Sequence, residues 1–155
     1  MTTDEIFMAR AIELAKQAVS NGNEPFGAVL VKDDKIVFEN ENQIYTKTDP
    51  TYHAEAGLLR RFCNQTNITD LSNYTLYSNC EPCFMCCGAM VWTKVGRLVY
   101  GASDIDLCAL LDEEGSHCSE TVFRQSPHKP KITSGILRKE SLKVMAEYFV
   151  NHKKG

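Results

Sequence analysis

Tyr52-His53-Ala54-Glu55 and, further along, Glu81-Pro82-Cys83-Phe84-Met85-Cys86-Cys87 carry the residues best suited to chemistry. One imidazole, a Cys-x-x-Cys pair and a nearby carboxylate make a set for a catalytic zinc ion. Such sites use three protein ligands, keep the fourth tetrahedral position for water, and place an unligated acid beside it. His53, Cys83 and Cys86 are the three candidate ligands and Glu55 the free acid. Cys83 and Cys86, three apart, share a face if the segment is helical, and a helix start favours their thiolates. Zinc brings bound water to a pKa of about 7, and an acid beside it moves protons, so the expected chemistry is hydrolysis. The competing reading is a structural zinc site in which Cys80 supplies a fourth ligand; it leaves Glu55 without a task.

Several elements must position these groups. Thr2-x-x-Glu5 reads as a capping box opening a helix over about 3–20, with Ile6, Ala9, Ile12 and Val19 at helical spacing. Ala28–Val31 and Ile36–Phe38 flank Asp33-Asp34 as a hairpin. A second helix, with Thr51 as its cap, carries His53 and Glu55 in its first turn. A strand follows at Tyr74–Tyr77. A third helix runs to about Thr93, with Pro82 suited to its first residue. A strand at Arg97–Tyr100, an irregular stretch from Asp104 to Pro130, a strand near Lys131–Ser134 and an amphipathic helix over Glu140–Asn151 complete the chain. Alternating helices and strands predict an α/β fold with a central mixed sheet and helices on its faces.

The 155 residues suit one domain spanning 1–155. With 43% hydrophobic and 24% charged residues the composition is that of an ordinary globular protein. Nothing approaches the ~20 consecutive apolar residues of a membrane span, and Met1-Thr2-Thr3-Asp4-Glu5 has no signal-peptide pattern, so the expectation is a cytoplasmic protein with no membrane partner. Seven cysteines, four of them between Cys80 and Cys87, point to metal more than to disulfides. A net charge of −3 leans against a large nucleic-acid partner.

The H-x-E…P-C-x-x-C arrangement resembles that of the zinc-dependent cytidine deaminase superfamily, in the branch of guanine deaminases and tRNA adenosine deaminases. The likeness extends from about Pro25-Phe26-Gly27-Ala28 to about Val99-Tyr100-Gly101-Ala102. The resemblance implies a three-layer cytidine-deaminase-like fold with a five-stranded sheet, one Zn²⁺ per subunit, a homodimer, and attack on an amine-bearing ring carbon that releases ammonia. It also implies that Asn42 binds the base or sugar, with Phe26 beside the pocket; Ala54, between His53 and Glu55, joins them as a candidate substrate contact.

Trp92 is similar to the residue of guanine deaminases at its position. The acidic run Asp112-Glu113-Glu114 offers carboxylates, Glu113 and Glu114 above all, that could accept guanine's paired N–H donors. The expectation is therefore a deaminase of purine metabolism acting on a small molecule, guanine to xanthine. The alternative is adenosine in tRNA, a partner the net acidity disfavours. Ile132-Thr133-Ser134-Gly135-Ile136-Leu137, by contrast, looks like the tRNA enzymes. A cytosine-like or triazine substrate and a non-catalytic zinc module are the remaining alternatives.

Overall fold

The computed structural model describes residues 1–153. The elements in order are α1 (Thr3–Ser20), β1 (Gly27–Lys32), β2 (Lys35–Glu41), α2 (Ala54–Thr66), β3 (Thr75–Cys80), α3 (Phe84–Trp92), β4 (Arg97–Ala102), α4 (Asp104–Leu110), α5 (Cys118–Arg124), β5 (Lys131–Thr133) and α6 (Arg138–Lys153). The strands form one mixed sheet of order β2-β1-β3-β4-β5. β1 pairs antiparallel with β2 and β3, whereas β3, β4 and β5 run parallel.

Local chemistry accounts for the first elements. Thr2 and Glu5 close the expected capping box at the start of α1. Asp33 and Asp34 both take positive φ, 52° and 59°, which a tight two-residue hairpin turn requires and a short acidic side chain tolerates.

Alternation along the strands then sorts the layers. Ala28, Leu30, Leu76 and Leu98 face α2, α3 and α5, packing on Leu58, Phe62, Met90 and Phe123. Val29, Val31, Tyr77 and Val99 face the other way, onto Phe7, Met8, Ala11 and Ile12 of α1 and Val144 of α6. Helices cover both faces, giving the expected three layers. A smaller cluster of Cys80, Ala102 and Met145, joined by Phe26, Leu107 and Phe149, closes the sheet at the C-terminal ends of β3 and β4.

Four expectations are corrected. The 104–130 stretch holds two short helices; Ser103 and Asp106 make a second capping box that starts α4. Thr51 does not cap α2: its N–H and hydroxyl donate to Asp49, and His53 takes the N-cap position. Pro82 precedes the N-cap of α3, which is Cys83. The final helix starts at Arg138, before Glu140. Among the described residues no helix is long and apolar enough to cross a membrane.

Candidate active site and metal centre

Two helix starts meet at one point. His53 is the N-cap of α2 and Cys83 the N-cap of α3, both with extended backbone; the His53 side chain makes no bond to its own helix, while Cys83 Sγ meets Cys86 and His53. An N-cap side chain normally accepts from the first turn; His53 does not, and is left to meet the cysteines of α3. Cys86 follows in the first turn of α3, and Glu55 in the first turn of α2. A buried amide holds the α2 start: Asn40 Nδ2 donates to the Ala54 carbonyl at 3.0 Å, while Arg61 donates to Asn40 Oδ1.

The donor atoms of His53, Cys83 and Cys86 lie within 4.8 Å of one another. His53 Nδ1 is 3.5 Å from Cys83 Sγ and 3.7 Å from Cys86 Sγ. A tetrahedral zinc ion with ordinary bond lengths needs an N···S separation of about 3.6 Å. The donor set fits zinc in both chemistry and spacing. Cys80 lines the same cavity but does not join the converging group found among the described residues. The four-ligand alternative therefore finds no support in this geometry.

Hydrogen bonds among the donors shift their proton affinities. The Cys83 thiol is drawn down to about 4, first by a hydrogen bond from Cys86 and then by one from His53, against the opposing effect of burial. His53 is raised by its bond to Cys83, and Cys86 is raised because it donates to Cys83. A thiolate already favoured at the N-terminus of a helix is what a soft cation binds. Glu55 is buried, and that burial pushes its carboxyl up to about 7, with Cys83 adding to the shift. Near neutrality it is therefore able both to accept and to give a proton.

The cavity in front of these groups holds about 230 Å³ and is lined by Glu24, Phe26, Asn42, His53, Glu55, Cys80, Glu81, Cys83, Asp104, Leu107 and Phe149. Phe26 and Asn42, two of the expected substrate contacts, are among its lining residues. Asn79 presents the Phe26 segment by accepting from Gly27 N–H at 2.9 Å and donating to Pro25 O at 3.0 Å. Asn42 Oδ1 accepts from the N–H groups of Glu24 and Ile44, which turns its amide nitrogen to other use.

Other expected contacts are not brought here. Ala54 is fully buried, and its carbonyl is taken by Asn40. Trp92 is 88% exposed and borders a separate groove with Thr51, Arg60 and Met85. Glu113 and Glu114, which follow the end of α4 at Leu110, are exposed and do not line the cavity. The carboxylates expected to pair with guanine's donors are thus not the carboxylates of the site.

Five residues of the wall, Leu107 among them, were not singled out from the sequence. Phe149 of α6 packs on Phe26, ring centres 6.3 Å apart, so the C-terminal helix does reach the cavity, within the same chain. Glu81 is buried and accepts from Asp104 N–H at 3.0 Å, Ser119 N–H at 3.1 Å and Ser119 Oγ, fixing the starts of α4 and α5 beside the metal ligands. Asp104 and Glu24 complete the acidic wall. The Ser103-x-x-Asp106 spacing was the signal available for α4; an acid directly before Pro82-Cys83 was the signal for Glu81.

Relatives extend along the chain. It is 34% identical over 148 residues to a tRNA-specific adenosine deaminase of Buchnera aphidicola subsp. Schizaphis graminum, covering 96% of this chain and 95% of that protein. It is 42% identical to the guanine deaminase of Bacillus subtilis, over 103 residues and 66% of each chain. A solved structure from work on A-to-I editing by tRNA:A34 deaminases at the wobble position of transfer RNA superposes with a TM-score of 0.77 at 32% identity, covering 89% of this chain and 97% of that one. The pattern of the cytidine and deoxycytidylate deaminase zinc-binding region matches residues 1–102. With that match spanning the hairpin, both ligand motifs and β4, the chain belongs to the cytidine and deoxycytidylate deaminase family of zinc-dependent hydrolases.

Proposed function

We propose that this protein hydrolytically deaminates adenosine to inosine within tRNA. The observation that carries the reading is extent: the likeness to tRNA-specific adenosine deaminases runs through 96% of the chain, including the helices after β4 that complete the cavity. Guanine, the substrate expected from the sequence, is corrected on two findings. The match to guanine deaminase covers 66% of the chain, and Glu113, Glu114 and Trp92, the residues that favoured it, stand outside the cavity.

His53, Cys83 and Cys86 would hold the zinc. When bound, the metal supplies a Lewis acid that makes a water molecule nucleophilic at neutral pH. Glu55 moves the protons: it takes one from the attacking water and gives it to the ring nitrogen beside the amine, then takes the second from the added hydroxyl and gives it to the amino group, which leaves as ammonia as the carbonyl forms. Phe26 and Phe149 bound the base on one side. Asn42 offers its amide N–H to an acceptor on the purine, since its oxygen is already engaged. Glu55 itself is buried, which limits the access of bulk water to the transfer.

The protein is further proposed to act as a homodimer. Phe84, Met85 and Trp92, exposed by 51%, 40% and 88% on the helix that carries Cys86, form an apolar face that a second copy would cover. Trp92→Lys should shift the mass seen by light scattering toward the monomer.

The substrate is tested with a zinc-loaded preparation, by ammonia release and inosine content, on a tRNA anticodon stem-loop with adenosine at the wobble position and on free guanine, adenosine and cytosine. Inosine formed in the stem-loop supports the reading. Turnover confined to a free base overturns it.

A further inference from the structure

Of the cavity's acids other than Glu55, Glu24 is the one whose carboxylate accepts no hydrogen bond from the chain among the described residues; His53 and His152 act on it by charge alone. Glu81 is engaged by Asp104 and Ser119, and Asp104 accepts from Ser116 N–H at 2.8 Å. Among the described residues the only hydrogen bonds of Glu24 are through its backbone: its N–H donates to Asn42 Oδ1 and its carbonyl accepts from Phe26 N–H. Burial nonetheless raises its carboxyl above the ordinary range. A half-buried carboxylate without a donor is costly, and a ligand that donates to it recovers the loss.

Its placement says which part of a ligand would do so. Glu24 lines the catalytic cavity and also a neighbouring groove of about 480 Å³ formed with Gly22, Tyr45, Leu111, Tyr148, Phe149 and His152. Only Glu24 and Phe149 belong to both, so they form the junction. The catalytic cavity, at about 230 Å³, is smaller than the roughly 300–1,000 Å³ of pockets that enclose a whole drug-sized ligand. It seats a base, with the amine toward His53, Cys83 and Glu55. The sugar then falls at the junction. In an internal nucleotide the 3′- and 5′-oxygens are esterified, leaving the 2′-hydroxyl as the sugar's hydrogen-bond donor. A carboxylate has only acceptor atoms and repels phosphate, so it discriminates between these groups by charge as well as by bonding.

The position is built, not incidental. Asn23, 1% exposed, accepts from the N–H groups of Tyr45 and Thr46 at 3.0 and 3.1 Å and donates to Thr46 Oγ1 at 3.1 Å. That clasp ties the segment bearing Glu24 to the loop bearing Tyr45. On the other side Asn42, itself a cavity residue, holds the Glu24 N–H.

We propose that Glu24 is a specificity-determining residue that accepts a hydrogen bond from the 2′-hydroxyl of the target nucleotide and makes the site select ribose over deoxyribose. The proposal rests on the polynucleotide reading above for its choice of hydroxyl, and its test separates the two.

Wild type, Glu24→Ala and Glu24→Gln, with zinc content measured for each, are compared on stem-loops carrying either adenosine or 2′-deoxyadenosine at the target position. The same comparison is made on the free nucleosides adenosine, guanosine and cytidine against their 2′-deoxy forms. A hydrogen bond to a charged acceptor predicts a wild-type preference in kcat/KM of about 10- to 100-fold for ribose. Glu24→Ala should bring that ratio to within about twofold by lowering turnover of the ribose form, and Glu24→Gln, which keeps a neutral acceptor, should fall between. A ratio unchanged in Glu24→Ala, or both sugars affected equally, overturns the assignment and leaves the tRNA reading standing. A ribose preference that depends on Glu24 but appears only on free nucleosides overturns the tRNA reading and supports the assignment. Turnover of nothing in the panel overturns both.

Discussion

Replacing Glu81 by alanine is expected to loosen one whole side of the active site. Its two carboxylate oxygens receive the Asp104 N–H, the Ser119 N–H and the Ser119 hydroxyl, so one side chain caps the first turns of α4 and α5 across the chain. Removing it leaves two helix-start N–H groups without an acceptor. Ser119 is 2% exposed and has little access to water, while Asp104 is only partly buried. At roughly 1–3 kcal/mol for each orphaned donor, discounted for the more accessible one, the loss is about 2–4 kcal/mol. With a urea slope near ~2 kcal/mol/M, the unfolding midpoint of the zinc-loaded protein should fall by about 1–2 M. Glu81→Gln keeps one of the two oxygens and should lose about half as much. Hydrogen exchange should accelerate first at the Asp104 and Ser119 amides. A midpoint loss worth less than about 1 kcal/mol, or amides no faster than before, would refute the capping role.

The other expectations follow from equally local features. Glu55→Gln should retain zinc and fold yet lose about 10²–10⁴-fold in kcat, read by ammonia release with metal content measured in parallel; full activity with full zinc would remove Glu55 from the mechanism. Gly27→Ala places a methyl 2.3 Å from Ala11 O and 2.7 Å from Ala15 N, backbone atoms of α1 that cannot swing aside. It should cost at least ~1–3 kcal/mol by thermal unfolding, through forced separation of α1 from β1. Asp106 is held down to about 2, chiefly by its hydrogen bonds from Arg138 of α6. A carboxyl depressed on folding stabilises above its unfolded pKa of about 3.9, and that contribution disappears as pH falls toward 2. Urea midpoints taken between pH 5 and 2.5 should therefore decline less steeply in Asp106→Asn than in wild type, and identical slopes would contradict the pairing.

The parts legible in the sequence were those fixed by local rules. The Thr2–Glu5 capping box, the Asp33-Asp34 turn and the His53, Cys83, Cys86 and Glu55 set each need only a few neighbouring residues to be recognised. The short helices α4 and α5 escaped because only seven residues form each and neither has a periodic apolar face; α4 depends on Ser103 and on Glu81 from another part of the chain. His53 and Cys83 at N-caps were read a residue or two inside their helices, since spacing does not reveal which residue leaves the helical dihedrals. Glu113, Glu114 and Trp92 show the limit of chemical type as a guide. A carboxylate and an indole suit a purine, but only the path of the chain decides whether they face one. Phe149 and Glu24 lie at opposite ends of the sequence, and nothing short of the tertiary fold places them together at the cavity.

X-ray absorption at the zinc edge of the resting protein tests the central claim most directly, because everything proposed for catalysis requires an ion held by three side chains with one position open. The expected first shell is two sulfurs near ~2.3 Å, one imidazole nitrogen near ~2.0–2.1 Å and one further light atom that is exchangeable. Three sulfurs, with Cys80 completing a closed set of four protein ligands, would contradict it.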